Sequence, residues 1–159
     1  MSMNLELARA CPTSMMAGED EEETELFKEA LKEADLFIKA FSWCKDVKDI
    51  YFCYGVGGVV QIFLFNIDRQ SSGGDVIDEW LWVVIGDLPS AYLVADDVTN
   101  PHDALAAYCE MMRDWIDAVR AGEGMEDVYQ VPVPPTEANA SQLSLRLDFL
   151  MADILPCMN

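Results

Sequence analysis

Apolar residues are densest over residues 79–97, EWLWVVIGDLPSAYLVADD, where two apolar runs flank Gly86, Asp87, Leu88, Pro89 and Ser90. Trp80, Trp82 and Val84 form one alternating set, and Leu81, Val83 and Ile85 form the other. Because both sets are apolar, a strand here is expected to be covered on both faces. Upstream, residues 50–54 and 59–67 are rich in β-branched and aromatic side chains and are separated by Gly55, Val56, Gly57 and Gly58, which reads as strand, turn, strand. A polar, glycine-rich connector at residues 70–75 leads into the densest stretch. Short links between four apolar runs predict an antiparallel meander.

The period changes on either side of these runs. Phe27, Ala30, Leu31, Ala34, Phe37, Ile38 and Phe41 fall on one helical stripe, preceded by the acidic run at residues 19–25. Acids at a helix start oppose the positive end of its dipole, so a first helix is expected over 21–44. Downstream, Asn100 is a good N-cap, Pro101 suits the first helical position, and Asp103 stands where a capping-box acid belongs. Leu105, Tyr108, Met112, Ile116 and Val119 continue a stripe that Gly122 and Gly124 should end near Ala121. Prolines at 132, 134 and 135 impose an extended arm. Thr136 caps a last helix carrying Leu143, Leu147, Leu150 and Ile154, stopped by Pro156.

This order predicts an α+β fold, a four-stranded antiparallel meander sheet packed by an N-terminal helix and two C-terminal helices. Residues 1–18 lack periodicity and are expected to form a flexible leader, with 19–159 as a single domain. A chain of 159 residues, 52% hydrophobic, is long enough to bury roughly 70% of its unfolded surface around one core. The five cysteines are scattered and never form a C-x-x-C pair, which fits reduced thiols. No apolar run reaches the ~18 residues of a membrane span, and the first residues lack the apolar segment of a signal peptide. A soluble, cytoplasmic protein is expected.

Charge adds a direction. The net charge is −19, and no Lys or Arg occurs between Arg69 and Arg113, whereas that interval holds Asp75, Asp78, Glu79, Asp87, Asp96, Asp97, Asp103 and Glu110. Such a surface repels phosphate backbones, so neither nucleic acid nor an anionic membrane is expected as a partner. A basic protein is the partner it would attract. The sequence fixes no oligomeric state.

Few catalytic devices remain. His102 is the only histidine, and its neighbours Asp96, Asp97 and Asp103 match no metal-ligand spacing, so no metal and no cofactor is expected. Cys109 lies two helical turns beyond His102, about 10 Å along the axis, too far for a nucleophile–base hydrogen bond. The glycines at 55–58 lack the lysine and following helix of a phosphate loop. Strand-end carboxylates next to an aromatic pocket would suit a small enzyme or ligand-binding domain, and this is the alternative to a non-enzymatic protein-binding module. In size, charge and architecture, residues 20–155 resemble the small acidic α+β immunity proteins of bacteria. GDLPSAYLVADD, followed by a capped helix with Tyr108 and Trp115, is also similar to a bacterial family that adds no chemistry. The immunity-protein resemblance implies binding to a basic toxin domain and carries over no residue. The partner-binding candidates are therefore Asp75, Asp78, Glu79, Asp87, Asp96, Asp97, His102 and Asp103.

Overall fold

In the computed structural model, which describes residues 11–96 and 98–158, helix α1 (Glu21–Lys39) starts on the acidic run. Asp20 is its N-cap, with an extended backbone and a side chain that accepts from the Glu23 N–H at 2.8 Å. Phe27, Ala30, Ala34 and Ile38 form the buried stripe. The helix ends at Lys39 rather than near Cys44. There the chain turns, the Cys44 N–H bonding the Phe41 carbonyl at 3.1 Å, and Phe41 stacks on Trp43 with ring centroids 4.9 Å apart.

Among the described residues, five strands follow one another in space as in sequence, all antiparallel: β1 (Cys11–Pro12), β2 (Cys44–Val56), β3 (Val60–Gln70), β4 (Val76–Gly86) and β5 (Leu88–Val94). The fold is α+β, with three α-helices among the described residues and one strand more there than the four expected. The extra strand is short. Cys11 and Pro12 pair with Phe52 and Tyr51, a 3-10 turn follows at Thr13–Met15, and Met16 is buried. These residues fall within the stretch expected to be a leader, whose residues 1–10 lie outside the described residues.

Strand β2 begins well before residue 50, and its irregularity explains why. Against β3, the register skips Lys45, Lys48 and Cys53, each the extra residue of a bulge. Each bulge adds one position to the two-residue repeat. Cys44, Val47 and Ile50, three apart, therefore all pack against the same core as Phe52.

That core lies between α1 and one face of the sheet: Phe63, Phe65 and Ile67 of β3 and Leu81, Val83 and Ile85 of β4 meet Phe27, Ala30, Ala34 and Ile38. Each fully buried Phe or Ile contributes about 1.5–3 kcal/mol. Ile62, Leu64, Trp82 and Val84, on the opposite face, are also at most 1% exposed. The central strands are thus buried on both faces, as the two apolar sets predict. The Trp82 Nε1–H donates to the Val98 carbonyl at 2.8 Å, so its one polar group is satisfied.

Gly86 closes the β4–β5 turn, where the backbone of β3 comes very close. A Cβ at Gly86 would stand 2.2 Å from the Val59 oxygen and 2.9 Å from the Val60 Cα. The next N–H, of Asp87, bonds that Val59 oxygen at 3.1 Å. Pro89 is tolerated because it falls in the register break between the Val84–Ala91 and Gly86–Leu88 pairs, outside the regular ladder.

The chain divides into two compact units between Pro101 and His102. In the second, α2 (Pro101–Ala121) ends where Gly122 takes a left-handed φ of 74° and its N–H bonds the Ala118 carbonyl. Helix α3 (Glu137–Phe149) is capped by Thr136 and continues through a π turn at Leu150–Ile154. Arg113 of α2 donates to Ser144 and Asp148 of α3, and Arg120 to Glu137. Among the described residues, no helix is long and apolar enough to cross a membrane.

Candidate functional site

Strand pairing decides which acids gather. Asp78 of β4 lies opposite Asp68 of β3, two carboxylates that would repel each other without a cation. Lys48, re-aimed by its bulge on β2, supplies one: its ammonium bonds the Asp78 carboxylate and lies 3.2 Å from Asp68. Asn66, a buried polar residue, also donates to Asp78 at 3.0 Å. Hydrogen bonds from Lys48 and then Asn66 hold the Asp78 carboxyl below its usual pKa, and the same contact with Asp78 raises that of Lys48.

One residue further on, Glu79 accepts from the Arg69 guanidinium at 2.6 Å, which also lies 4.4 Å from the centre of the Trp43 ring. Sequence distance had hidden both cations. The interval from 70 to 112 carries no Lys or Arg, but β2 and β3 bring Lys48 and Arg69 alongside its acids. Asp75 is exposed in the β3–β4 connector. Asp96 is exposed just beyond Ala95, whose N–H bonds the Trp80 carbonyl, and so shares this end of the sheet. Asp97 lies outside the described residues.

Asp87 is at the opposite end. There it lines an open pocket of about 290 Å³ with Glu29 and Glu33 of α1, Gly58 of the β2–β3 turn, and Gln61. Glu33 accepts from the Ser90 hydroxyl at 3.4 Å, and Gln61 is tied to the Val56 carbonyl. Among the described residues, no Lys or Arg lines this pocket. Glu29 and Glu33 were missed as candidates because they belong to the helix. The signal was their spacing of four, which puts both on one face of α1 beside the apolar stripe.

His102 and Asp103 belong to the second unit, in the first turn of α2, with His102 Nδ1 3.1 Å from Asp103 Oδ1. Among the described residues, no three His, Cys, Asp or Glu side chains come together as a metal site. Two of the thiols are held in their protonated form: burial pushes Cys109 up to about 11 and Cys53 up to about 12. Trp82 is in the core, whereas Trp80 is only half-buried, its ring 6.1 Å from that of Tyr51. No protein-family model matches the chain, and no curated protein or solved structure is similar to it.

Proposed function

We propose that this is a non-enzymatic binding protein whose acidic surface docks a basic partner protein, as the resemblance to immunity proteins implies. The pocket of Glu29, Glu33 and Asp87 is the seat for a lysine or arginine side chain of that partner. The observation that carries this reading is the convergence of three carboxylates from α1 and the β4–β5 turn on one opening that, among the described residues, no Lys or Arg lines. At the other end of the sheet, Asp78 and Glu79 already have Lys48 and Arg69 as counterions, so the pocket is the better electrostatic trap. A net charge of −19 around it steers cationic surfaces inward, speeding association more than it deepens affinity.

The test compares immobilised wild type with the triple variant Glu29→Gln, Glu33→Gln, Asp87→Asn. A basic protein captured from the source lysate is purified and its affinity measured for both forms. The expected loss in the variant is about tenfold or more, shrinking as salt is raised. Capture of no basic protein, or equal affinity for the two forms, overturns the reading.

A further inference from the structure

The pocket of Glu29, Glu33 and Asp87 has a floor as well as a rim. Gln61, the second residue of β3, points to the helix side of the sheet with Phe63 and Phe65 and lines that opening, yet it is only 3% exposed. Its Nε2–H2 group donates to the Val56 carbonyl at 3.1 Å. This fixes the amide: a carbonyl only accepts, so the nitrogen faces Val56 and the oxygen is turned away from it. That oxygen has no hydrogen-bond partner among the described residues, and no side-chain oxygen or nitrogen there is both sealed from solvent and unbonded. Gln61 Oε1 therefore reaches solvent, through the opening that Gln61 lines.

A nearly buried acceptor left without a donor is costly, so it points to a ligand that supplies one. At the rim, Glu29 makes no hydrogen bond or ion pair among the described residues, and Glu33 has a second oxygen beyond the one that meets Ser90. These acceptors do not suit a bare metal ion, because among the described residues no three acids come together closely enough to hold one. They are spread between floor and rim. A planar guanidinium spans such a spread with five N–H donors in fixed directions, whereas an ammonium gathers three donors on one strongly hydrated atom. Leu26, Ala30 and Ile85 make the rest of the wall apolar, which favours the more weakly hydrated guanidinium and suits a methylene stem.

We propose that this pocket selects arginine over lysine, with the Gln61 amide oxygen accepting from the guanidinium at the floor while Glu29 and Glu33 balance its charge at the rim. Gln61 is then the specificity-determining residue, and the carboxylates supply an attraction common to both cations. The assignment rests on the reading of the pocket as the seat of a basic partner's side chain, and it names that side chain.

The experiment is a two-dimensional amide NMR titration of the full chain with N-acetyl-arginine methylamide and, separately, N-acetyl-lysine methylamide, each against sodium chloride at matched ionic strength. The probes carry the same single charge, so carboxylates alone would bind them equally. Saturable shifts are expected at Glu29, Gly58 and the Gln61 side-chain amide, with arginine bound about tenfold more tightly than lysine. Gln61→Leu keeps the bulk, and the Val56 carbonyl retains the Val59 N–H at 2.9 Å. This variant should bring arginine down to the affinity of lysine and leave lysine unchanged, whereas Glu29→Gln should weaken both probes alike. The wild type gives a readout that does not depend on the variant folding: the Gln61 side-chain amide moves with arginine and not with lysine. Equal affinity for the two probes, equal movement of that amide with both, or an arginine preference that survives Gln61→Leu overturns the arginine assignment alone and leaves the cation seat in place. Shifts with both probes no larger than those with sodium chloride overturn the seat and the assignment together.

Discussion

Glu23 offers the sharpest test of how the acidic run is used. Its carboxylate accepts from the Gly57 N–H at 2.9 Å and the Glu19 N–H at 2.8 Å, so one side chain joins the start of α1 to the β2–β3 turn. Gly57 and Gly18 are small because Glu23 passes over them, a Cβ at either coming within 2.8 Å of its side chain. Replacing Glu23 by Ala leaves the half-buried Gly57 N–H without its acceptor, at about 1.5 kcal/mol, the low end for a bond to a charged group. The exposed Glu19 N–H turns to water and adds about 0.5 kcal/mol. The total is about 2 kcal/mol, or roughly 4–8 °C in melting temperature for a chain of this size. Glu22→Ala is the control, because it removes the same charge from the same helical turn and gains the same helix propensity, and among the described residues Glu22 makes no bond. The assay is thermal unfolding of both variants, with hydrogen exchange of the Gly57 amide as the local readout. If the two variants melt within about 0.5 kcal/mol of each other and the Gly57 amide stays protected, Glu23 is only one more solvated acid.

Gly86→Ala places a methyl against the β3 backbone, which cannot rotate away. A loss of about 3 kcal/mol or more is expected in denaturant unfolding. Asp78 has a depressed folded pKa, so its stabilisation is complete above the ordinary carboxylate value of 3.8 and is lost as pH falls through the lower folded value. Asp78→Asn should flatten the dependence of melting temperature on pH in that acid range and leave the slope above it unchanged. Alkylation of the native protein near neutral pH should reach exposed Cys157 first, while Cys53 and Cys109, pushed up to about 12 and 11, react only on unfolding. Peptide mapping of the modified thiols checks the order.

The helices were legible because their signals are local. Asp20 and Thr136 cap through their own side chains, Pro101 opens α2, and Gly122 closes it, each within a few residues of the end it specifies. Strand β4 was legible for a different reason: with both alternating sets apolar, no choice of face was needed. Strand β2 was obscured by its bulges, which set Cys44, Val47 and Ile50 three apart and so imitate the helical spacing of the stripe just before them. The first helix was consequently drawn too long and the strand too short. Strand β1 carries two residues, too few to show any period.

The candidate site failed to read from the sequence in a related way. A gap in cations along the chain becomes a gap on the surface only if strand neighbours do not fill it. In a meander, each strand lies against another from a different part of the chain, so Lys48 meets Asp78 across thirty positions and Arg69 meets Glu79 across ten. Charge placement along one strand therefore says little about local potential until the register is known. Asp87 stands in a turn beyond the paired residues, where it lines a pocket with the helix carboxylates Glu29 and Glu33. The register thus decides which strand acids meet a cation. Lys48 balances both Asp68 and Asp78 from a neighbouring part of the sheet. Lys48→Met, which keeps the stem and removes the charge, should therefore raise the pKa of Asp78 toward 3.8. Carboxyl-carbon NMR titration reads the shift. If the Asp78 pKa does not move, the pairing of Lys48 with Asp78 is not what lowers it.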